Sequence, residues 1–412
     1  MASAQPVVVT GIGVLSPIGT TMTDVVLSLR ESRPGIQRLL APPLRRHYPA
    51  AMVPDDLEQH FSALELVYLD RCQQLALLAA RDAIASAGLD RFERYGARAG
   101  LYYGNVNGGG ATSQEAYRRL LCENIQAARP FSMMSIMQNG GAAQISIRHA
   151  ITGPVHTYGS ACAASGAAIG EAARAIRHGY LDVAIAGGAE APLTGALLYG
   201  FEGARALAGI DASDVAYSCK PFDLRRSGLV LGEGAAFLVL ESEAHARERG
   251  APCLAYLAGY GMASDAHHIA VPSAAGQARA IRLALADAGL EPAQIDYFNA
   301  HGTATRGGDP VEAGAIGAVF GMGSASVPVS STKSLHGHLL GAAGAMECVV
   351  VIAAMQHRLL PATAGLAQPD PACALNHVAG TSVQNHPIRR AMSLSCGFGG
   401  TNVALVMSTH LD

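Results

Sequence analysis

Val155-His-Thr-Tyr-Gly-Ser-Ala-Cys-Ala-Ala-Ser-Gly-Ala-Ala-Ile-Gly-Glu-Ala-Ala-Arg-Ala-Ile-Arg-His-Gly179 is the stretch on which the reading of this chain turns. It starts extended, turns at Gly159-Ser160, and continues as a helix of small residues that Gly179 stops. Between Ala163 and Ile176 the only charges are Glu171 and Arg174. A helix apolar nearly all round belongs inside a core. Cys162 falls at its first turn, where unpaired N–H groups and the positive dipole end favour a thiolate. The thiolate is the nucleophilic form, and such settings can bring a thiol pKa of ~8.5 down to ~3.5–7.5. The competing reading is a buried, inert cysteine, and partners elsewhere in the chain must decide between the two.

Outward from this stretch, the 412 residues are too many for one ordinary core and imply two domains or fused halves. Half the residues are hydrophobic, only 15% are charged, and there are 47 Gly and no Trp, which suits a tightly packed α/β protein. A net charge of -3 gives no electrostatic reason to expect nucleic acid or a membrane surface. No run is expected to reach the ~18 apolar residues of a membrane span. Met1-Ala-Ser-Ala-Gln-Pro-Val-Val-Val-Thr10 lacks a basic leader and reads as a first strand. Cysteines 72, 122, 162, 219, 253, 348, 373 and 396 have no CxxC and no regular spacing. Free thiols in a reducing cytoplasm are the expectation.

Val7–Val14 runs into a Gly-rich turn that resembles a dinucleotide loop only superficially. Ser16 stands where the third glycine would be, and the stretch reads as a tight turn between buried strands. Residues 31–62, with Pro34, Pro42, Pro43 and Pro54, read as a loop-rich excursion. Then one order of elements occurs twice. An amphipathic helix, Gln73–Leu89, ends in Ala-Gly-Leu and is followed by the strand Ala99–Gly104. Gln277–Leu290 ends the same way and leads to the strand Ile295–Asn299. The strand and helix around Cys162 have their counterpart in Val327–Lys333 and Gly341–Ala354. Each half closes with paired strands, 182–186 with 235–240 and 391–395 with 402–407. The expected organisation is two α/β halves, 1–250 and 251–412, with a site between facing strand ends.

Matching strand ends of the second half carry His301, in Asn299-Ala-His-Gly-Thr-Ala-Thr305, and His338, in Lys333-Ser-Leu-His-Gly-His338. One cysteine with two histidines suits acyl transfer followed by carbanion chemistry: a thiolate takes the acyl group, and imidazole N–H groups hold an enolate oxygen. Zinc is the rival use of these residue types, but the closely spaced ligand pairs of zinc sites are missing and no metal is expected.

Ala161–Gly166, His301–Thr305, Lys333–His338, Pro221–Gly234 and Gly397-Phe-Gly-Gly-Thr-Asn402 together resemble the β-ketoacyl-acyl-carrier-protein synthases, the decarboxylating condensing enzymes of fatty acid and polyketide synthesis. The likeness runs from about Val7 to Met407 and is strongest to the elongating synthase II type and its polyketide relatives. It implies the thiolase-like fold, two duplicated halves in five αβαβα layers, and a dimer of identical subunits or a pair with a chain-length-factor-like subunit. It implies that Cys162 is acylated from the phosphopantetheine arm of an acyl carrier protein, with no cofactor of the enzyme's own. By the same resemblance the Cys162 and Phe398 N–H groups form an oxyanion hole, and His301 and His338 assist loss of CO2 from malonyl-carrier protein. Lys333 and Glu312 match a pair that organises the histidines, Thr303 and Thr305 match pantetheine contacts, and Phe398 matches a gate whose loop Gly399 frees. Asn107, Met133, Met134, Met137 and Phe201 are expected at the acyl pocket. A polar Asn107 there suggests a chain other than an ordinary long saturated one. Arg205, Arg118 and Arg119, with Arg129, are the expected docking residues for an acidic carrier protein. Cys396 keeps a thiolase reading open, beside those of a non-condensing partner subunit and of a Cys–His hydrolase.

Overall fold

The computed structural model describes residues 5–323 and 326–411; Met1–Ala4, placed by the sequence before the first strand, lie outside the described residues. Eleven strands form one ladder: β1 (Val7–Leu15), β2 (Ala99–Gly104), β3 (Val155–Tyr158), β4 (Val183–Glu190), β5 (Gly234–Ser242), β6 (Ala255–Ser264), β7 (Tyr297–Asn299), β8 (Pro328–Ser330), β9 (Asn376–His377), β10 (Arg390–Gly397) and β11 (Thr401–Ser408). Their order is β9-β8-β7-β10-β11-β6-β1-β5-β4-β2-β3. Only two residue pairs, Val8 with Tyr256 and Val9 with Ala255, join β1 to β6 at the centre. On either side the pattern is the same. β1-β5-β4 are antiparallel and β4-β2-β3 parallel, while β6-β11-β10 are antiparallel and β10-β7-β8 parallel. The repeated order seen in the sequence is thus a repeated sheet.

Six helices complete the layers: α1 (Arg71–Ser86), α2 (Gly140–His149), α3 (Ala164–Arg177), α4 (Ala274–Ala288), α5 (Gly308–Phe320) and α6 (Ala343–His357). α3 and α6 share one core with the inner faces of both sets of strands. α1 closes the outer face of the first set and α4 that of the second. This is the five-layered αβαβα arrangement. Continuous burial along β1, β4 and β5 follows from cover on both faces. Gly13 explains the Gly-rich first strand: a Cβ there would lie 2.0 Å from Ala79 O, so glycine lets α1 press against β1.

Two expectations need correction. Residues 31–62 are not all loop: Ile36–Leu40 and His47–Ala51 pair with each other, and the latter with Leu231–Gly232, in a small second sheet. The 18 residues Leu340–His357, with mean hydropathy 1.4, do reach the length and apolarity of a membrane span, contrary to expectation. They are 89% buried, because this is the central helix and both its sides face protein. All eight cysteines are free.

Candidate active site

In an open α/β sheet the crevice lies beyond the carboxyl ends of parallel strands, and there the three sequence-selected side chains meet. Cys162 sits in a 3-10 turn, Ala161–Ala163, between β3 and α3. His301 lies just past β7, and His338 follows the short helix Lys333–His336 after β8. The Cys162 sulfur and one ring nitrogen from each histidine lie within 4.8 Å of one another. The two rings meet edge to face, with centroids 5.3 Å apart and an interplanar angle of 84°. All three side chains are buried, and Nδ1 of both histidines is enclosed with no hydrogen-bond partner among the described residues.

Electrostatics hold the rings neutral. Burial is the first cause that pushes both His301 and His338 well below the usual imidazole range, and the Lys333 ammonium is the second. His336, buried behind them, is pushed to about 3 by burial and Lys333. A neutral imidazole carries one N–H, so each ring can donate to a substrate oxygen without bearing charge.

The thiol corrects the sequence expectation of a depressed pKa. Burial pushes Cys162 up to about 11, outweighing Lys333 and the N–H groups of Phe398 and of Cys162 itself, which pull the other way. The helix-end donors are present, but desolvation is the larger effect. In the resting state the sulfur is therefore protonated at neutral pH, and the N–H groups of Phe398 and Cys162 favour its charged form.

The pairing expected between Lys333 and Glu312 is also corrected. Lys333 is ion-paired with Glu347 on α6, and both side chains are wholly buried. Glu312 instead accepts the backbone N–H groups of His301 and Gly302 at 2.6 and 2.7 Å, which fixes the histidine loop from α5. Asp309, one turn earlier, accepts the Phe222 N–H at 2.7 Å. Glu347 was legible in principle: it is the only charged residue in Gly341–Ala354. A lone charge in a wholly apolar helix needs a buried partner.

Phe398 is 54% exposed, and its ring lies 6.5 Å from that of Phe201. Gly397 before it is required sterically, since a Cβ would lie 2.8 Å from Ser160 O and 3.4 Å from Cys162 N. Gly399 holds a left-handed φ of 87°, and its N–H donates to Ile269 O at 2.8 Å. Thr303 and Thr305 are half-buried, with hydroxyls 3.2 Å apart, and Thr305 also accepts the Gly308 N–H at 3.2 Å. One end of the Asn107 amide is engaged, its Nδ2 donating to Glu190 Oε1 at 3.1 Å. Met133, Met134 and Met137 are 63, 56 and 48% exposed, so in one subunit they line no enclosed tunnel. Arg118 is already paired with Glu115 and Glu123 at 2.7 and 2.6 Å. Arg205 and Arg119 have no ion-pair partner among the described residues, and Arg205 is exposed.

A buried thiol at a helix-entry turn, two neutral imidazoles and a duplicated five-layer fold define a class of thiolase-like condensing enzymes. Residues 4–246 match the β-ketoacyl synthase N-terminal domain and residues 254–367 the β-ketoacyl synthase C-terminal domain, so the chain belongs to the β-ketoacyl synthase family and is a condensing acyltransferase. It is 40% identical over 401 residues to nodulation protein E of Rhizobium meliloti (strain 1021), covering 97% of this chain and 98% of that one. It is 37% identical over 411 residues to 3-oxoacyl-[acyl-carrier-protein] synthase 2 of Staphylococcus aureus (strain COL), covering 98 and 99%. Among solved structures it is similar to the ishigamide ketosynthase/chain length factor, with a TM-score of 0.92, 32% identity, and coverage of 99 and 100%.

Proposed function

We propose that this enzyme condenses an acyl group held on Cys162 with malonyl-acyl-carrier protein to give a 3-ketoacyl-carrier protein. The observation that carries the proposal is one sulfur and two neutral ring nitrogens within 4.8 Å of one another. In the first half-reaction the sulfur attacks the acyl thioester, the carbonyl–pantetheine C–S bond breaks, and the thiol proton leaves with the pantetheine sulfur. Thr303 and Thr305 flank the arm, Phe398 and Phe201 stand at the mouth, and the Cys162 and Phe398 N–H groups receive the oxyanion. In the second, the malonyl C–C bond breaks and CO2 departs. The electron pair enters an enolate whose oxygen takes one N–H each from His301 and His338. Its carbon attacks the acyl carbonyl, the Cys162–acyl bond breaks, and the released thiolate takes a proton from solvent. Glu312 holds the His301 loop, and burial together with Lys333 keeps both rings uncharged.

Acyl groups arrive on the phosphopantetheine of a carrier protein, and no further cofactor is needed for these steps. Arg205 and Arg119 are the docking cations, and the prior pairing of Arg118 makes it a poorer one. Unpaired thiols support a cytoplasmic setting, and the two duplicated halves divide near residue 250. The acyl pocket serves a specialised chain, because Asn107 puts an amide at its wall. Mass spectrometry after incubation with a panel of acyl-carrier proteins tests this. Acylation of Cys162 by unsaturated, aryl or polyketide chains ahead of long saturated ones is expected; equal acceptance of all refutes the specialised assignment.

The edge of the sheet supports a dimer. β3 is an end strand with one open side, and Leu121, Met133, Ile147 and Val155 nearby in the chain are 75, 63, 75 and 39% exposed. An edge strand flanked by apolar surface pairs with another strand unless it is covered, and a two-fold axis would join β3 to β3. Sedimentation of the protein expressed alone is expected to give twice the chain mass. A stable monomer would assign this edge to a chain-length-factor-like partner instead.

A further inference from the structure

The duplication builds the Cys162 corner twice. Ala161 (φ 49°) and Leu340 (φ 44°) both hold the left-handed backbone that non-glycine residues seldom adopt. Each opens a 3-10 turn, Ala161–Ala163 or Leu340–Ala342, and each turn feeds a central helix, α3 or α6. Gly341 therefore occupies in the second half the place of Cys162 in the first. At the first corner the backbone N–H groups of Phe398 and Cys162 favour negative charge on the sulfur. At the second, Gly341 gives one N–H to a buried carboxyl group, whose other donors come from Val106 and Asn107 after β2. Glu190, the wholly buried last residue of β4, accepts the Gly341 N–H at 3.1 Å and the Val106 N–H at 2.9 Å on Oε2. Its Oε1 accepts both the backbone N–H and Nδ2 of Asn107 at 3.1 Å. Four donors match the roughly four lone-pair sites of a carboxylate. A Cβ at Gly341 would lie 2.6 Å from Oε2, so the corner admits the carboxylate only without a side chain of its own.

We infer that Glu190 is a positioning residue: its carboxylate fills the anion-holding corner of the second elbow and so fixes His338, three residues before Gly341, and the Val106–Asn107 wall against Cys162. The inference rests on the proposed ketosynthase reaction. Val106 and Leu340 pack in the same apolar cluster as Cys162, so the tie reaches the nucleophile through contiguous contacts. Because Glu190 only accepts, Asn107 must turn its Nδ2 toward it, and Asn107 Oδ1 remains the free acceptor at this wall. Burial pushes the Glu190 carboxyl up to about 7 against the pull of these four N–H donors, and its negative charge, when present, opposes ionisation of Cys162.

Glu190→Ala leaves an empty corner with orphaned N–H donors that a small anion can occupy. In the full-length protein, CO2 release from malonyl-carrier protein is expected to fall about 10²-fold, the scale of a misplaced catalytic group. Sodium formate is expected to restore most of it, with sodium chloride as the control. Wild-type rates in that assay, or formate that raises the melting temperature without restoring CO2 release, would overturn the inference. Should Glu190→Ala not fold, Glu190→Gln keeps the shape and turns an amide N–H toward N–H donors. It is expected to acylate Cys162 near the wild-type rate while losing CO2 release, and equal loss of both steps, or of neither, counts against positioning. Alkylation of Cys162 by iodoacetamide provides a readout that needs no condensation. The wild-type midpoint is expected above the ordinary thiol range, because burial pushes Cys162 up, and the Glu190→Gln midpoint below that of wild type. If wild type does not condense, the ketosynthase assignment fails, yet an unmoved midpoint still separately refutes the placement of Glu190 beside Cys162.

Discussion

Cys162→Ala is expected to abolish condensation, by about 10⁴-fold or more, while CO2 release from malonyl-carrier protein continues. The two halves of the reaction use different atoms. Acyl transfer needs the sulfur, whereas loss of CO2 needs donors for the enolate oxygen, and those come from His301 and His338 on other elements. Alanine removes the thiol without disturbing the Glu312 bonds that hold the His301 loop. It also empties only a small volume in a turn whose backbone is set by Ala161 and the start of α3. The variant should therefore fold and release labelled CO2 without joining carbons. His338→Ala is the complement: acylation of the sulfur survives and decarboxylation is lost. A non-condensing partner subunit predicts no CO2 release from wild type, and a hydrolase predicts free acid from the acyl donor. If Cys162→Ala kept condensing at the wild-type rate, the sulfur would not be the acyl carrier.

The parts of this architecture that depend on chain pattern were legible in the sequence. The strand-turn-helix around Cys162, the repeated Ala-Gly-Leu helix ends and the strand pairs closing each half all recur in order, because buried elements must be apolar where they meet. His301 and His338 could be chosen from 15 histidines because they sit at equivalent strand ends. What stayed hidden depends on which side chains meet across the core. Lys333 could have paired with Glu312 as far as spacing goes; only packing α6 against the Lys333 helix brings Glu347 to it. The sign of the Cys162 shift was missed for a related reason. A helix N-terminus is visible in sequence, but the depth of burial that outweighs it is a property of all five layers. Glu190 was not singled out from the sequence, since its four donors come from segments about 85 and 150 residues away.

Lys333→Met should lower both stability and turnover, and the two losses separate. Lys333 and Glu347 are both fully buried, so removing the ammonium strands a carboxylate where desolvation is severe, at a cost of about 3–5 kcal/mol. With Lys333 gone, only the Ser395 hydroxyl opposes burial at Glu347 and its pKa goes further up, because Lys333 was the main influence holding it down. A carboxyl whose folded pKa lies above its unfolded value of ~4.3 is stabilising below that value and loses that contribution as pH rises through the folded pKa. The deficit of Lys333→Met against wild type should thus be small near pH 4 and grow toward pH 8, which thermal melts across that range would measure. Adding Glu347→Gln removes the stranded charge, and the double variant should regain much of the lost stability. It should not regain turnover. Lys333 is the second cause of the low pKa of both His301 and His338, so without it both imidazoles take protons more readily and the acid limb of the decarboxylation profile moves to higher pH. A double variant that recovers activity along with stability would reduce Lys333 to half of a structural pair, and its electrostatic role at the two rings would fall.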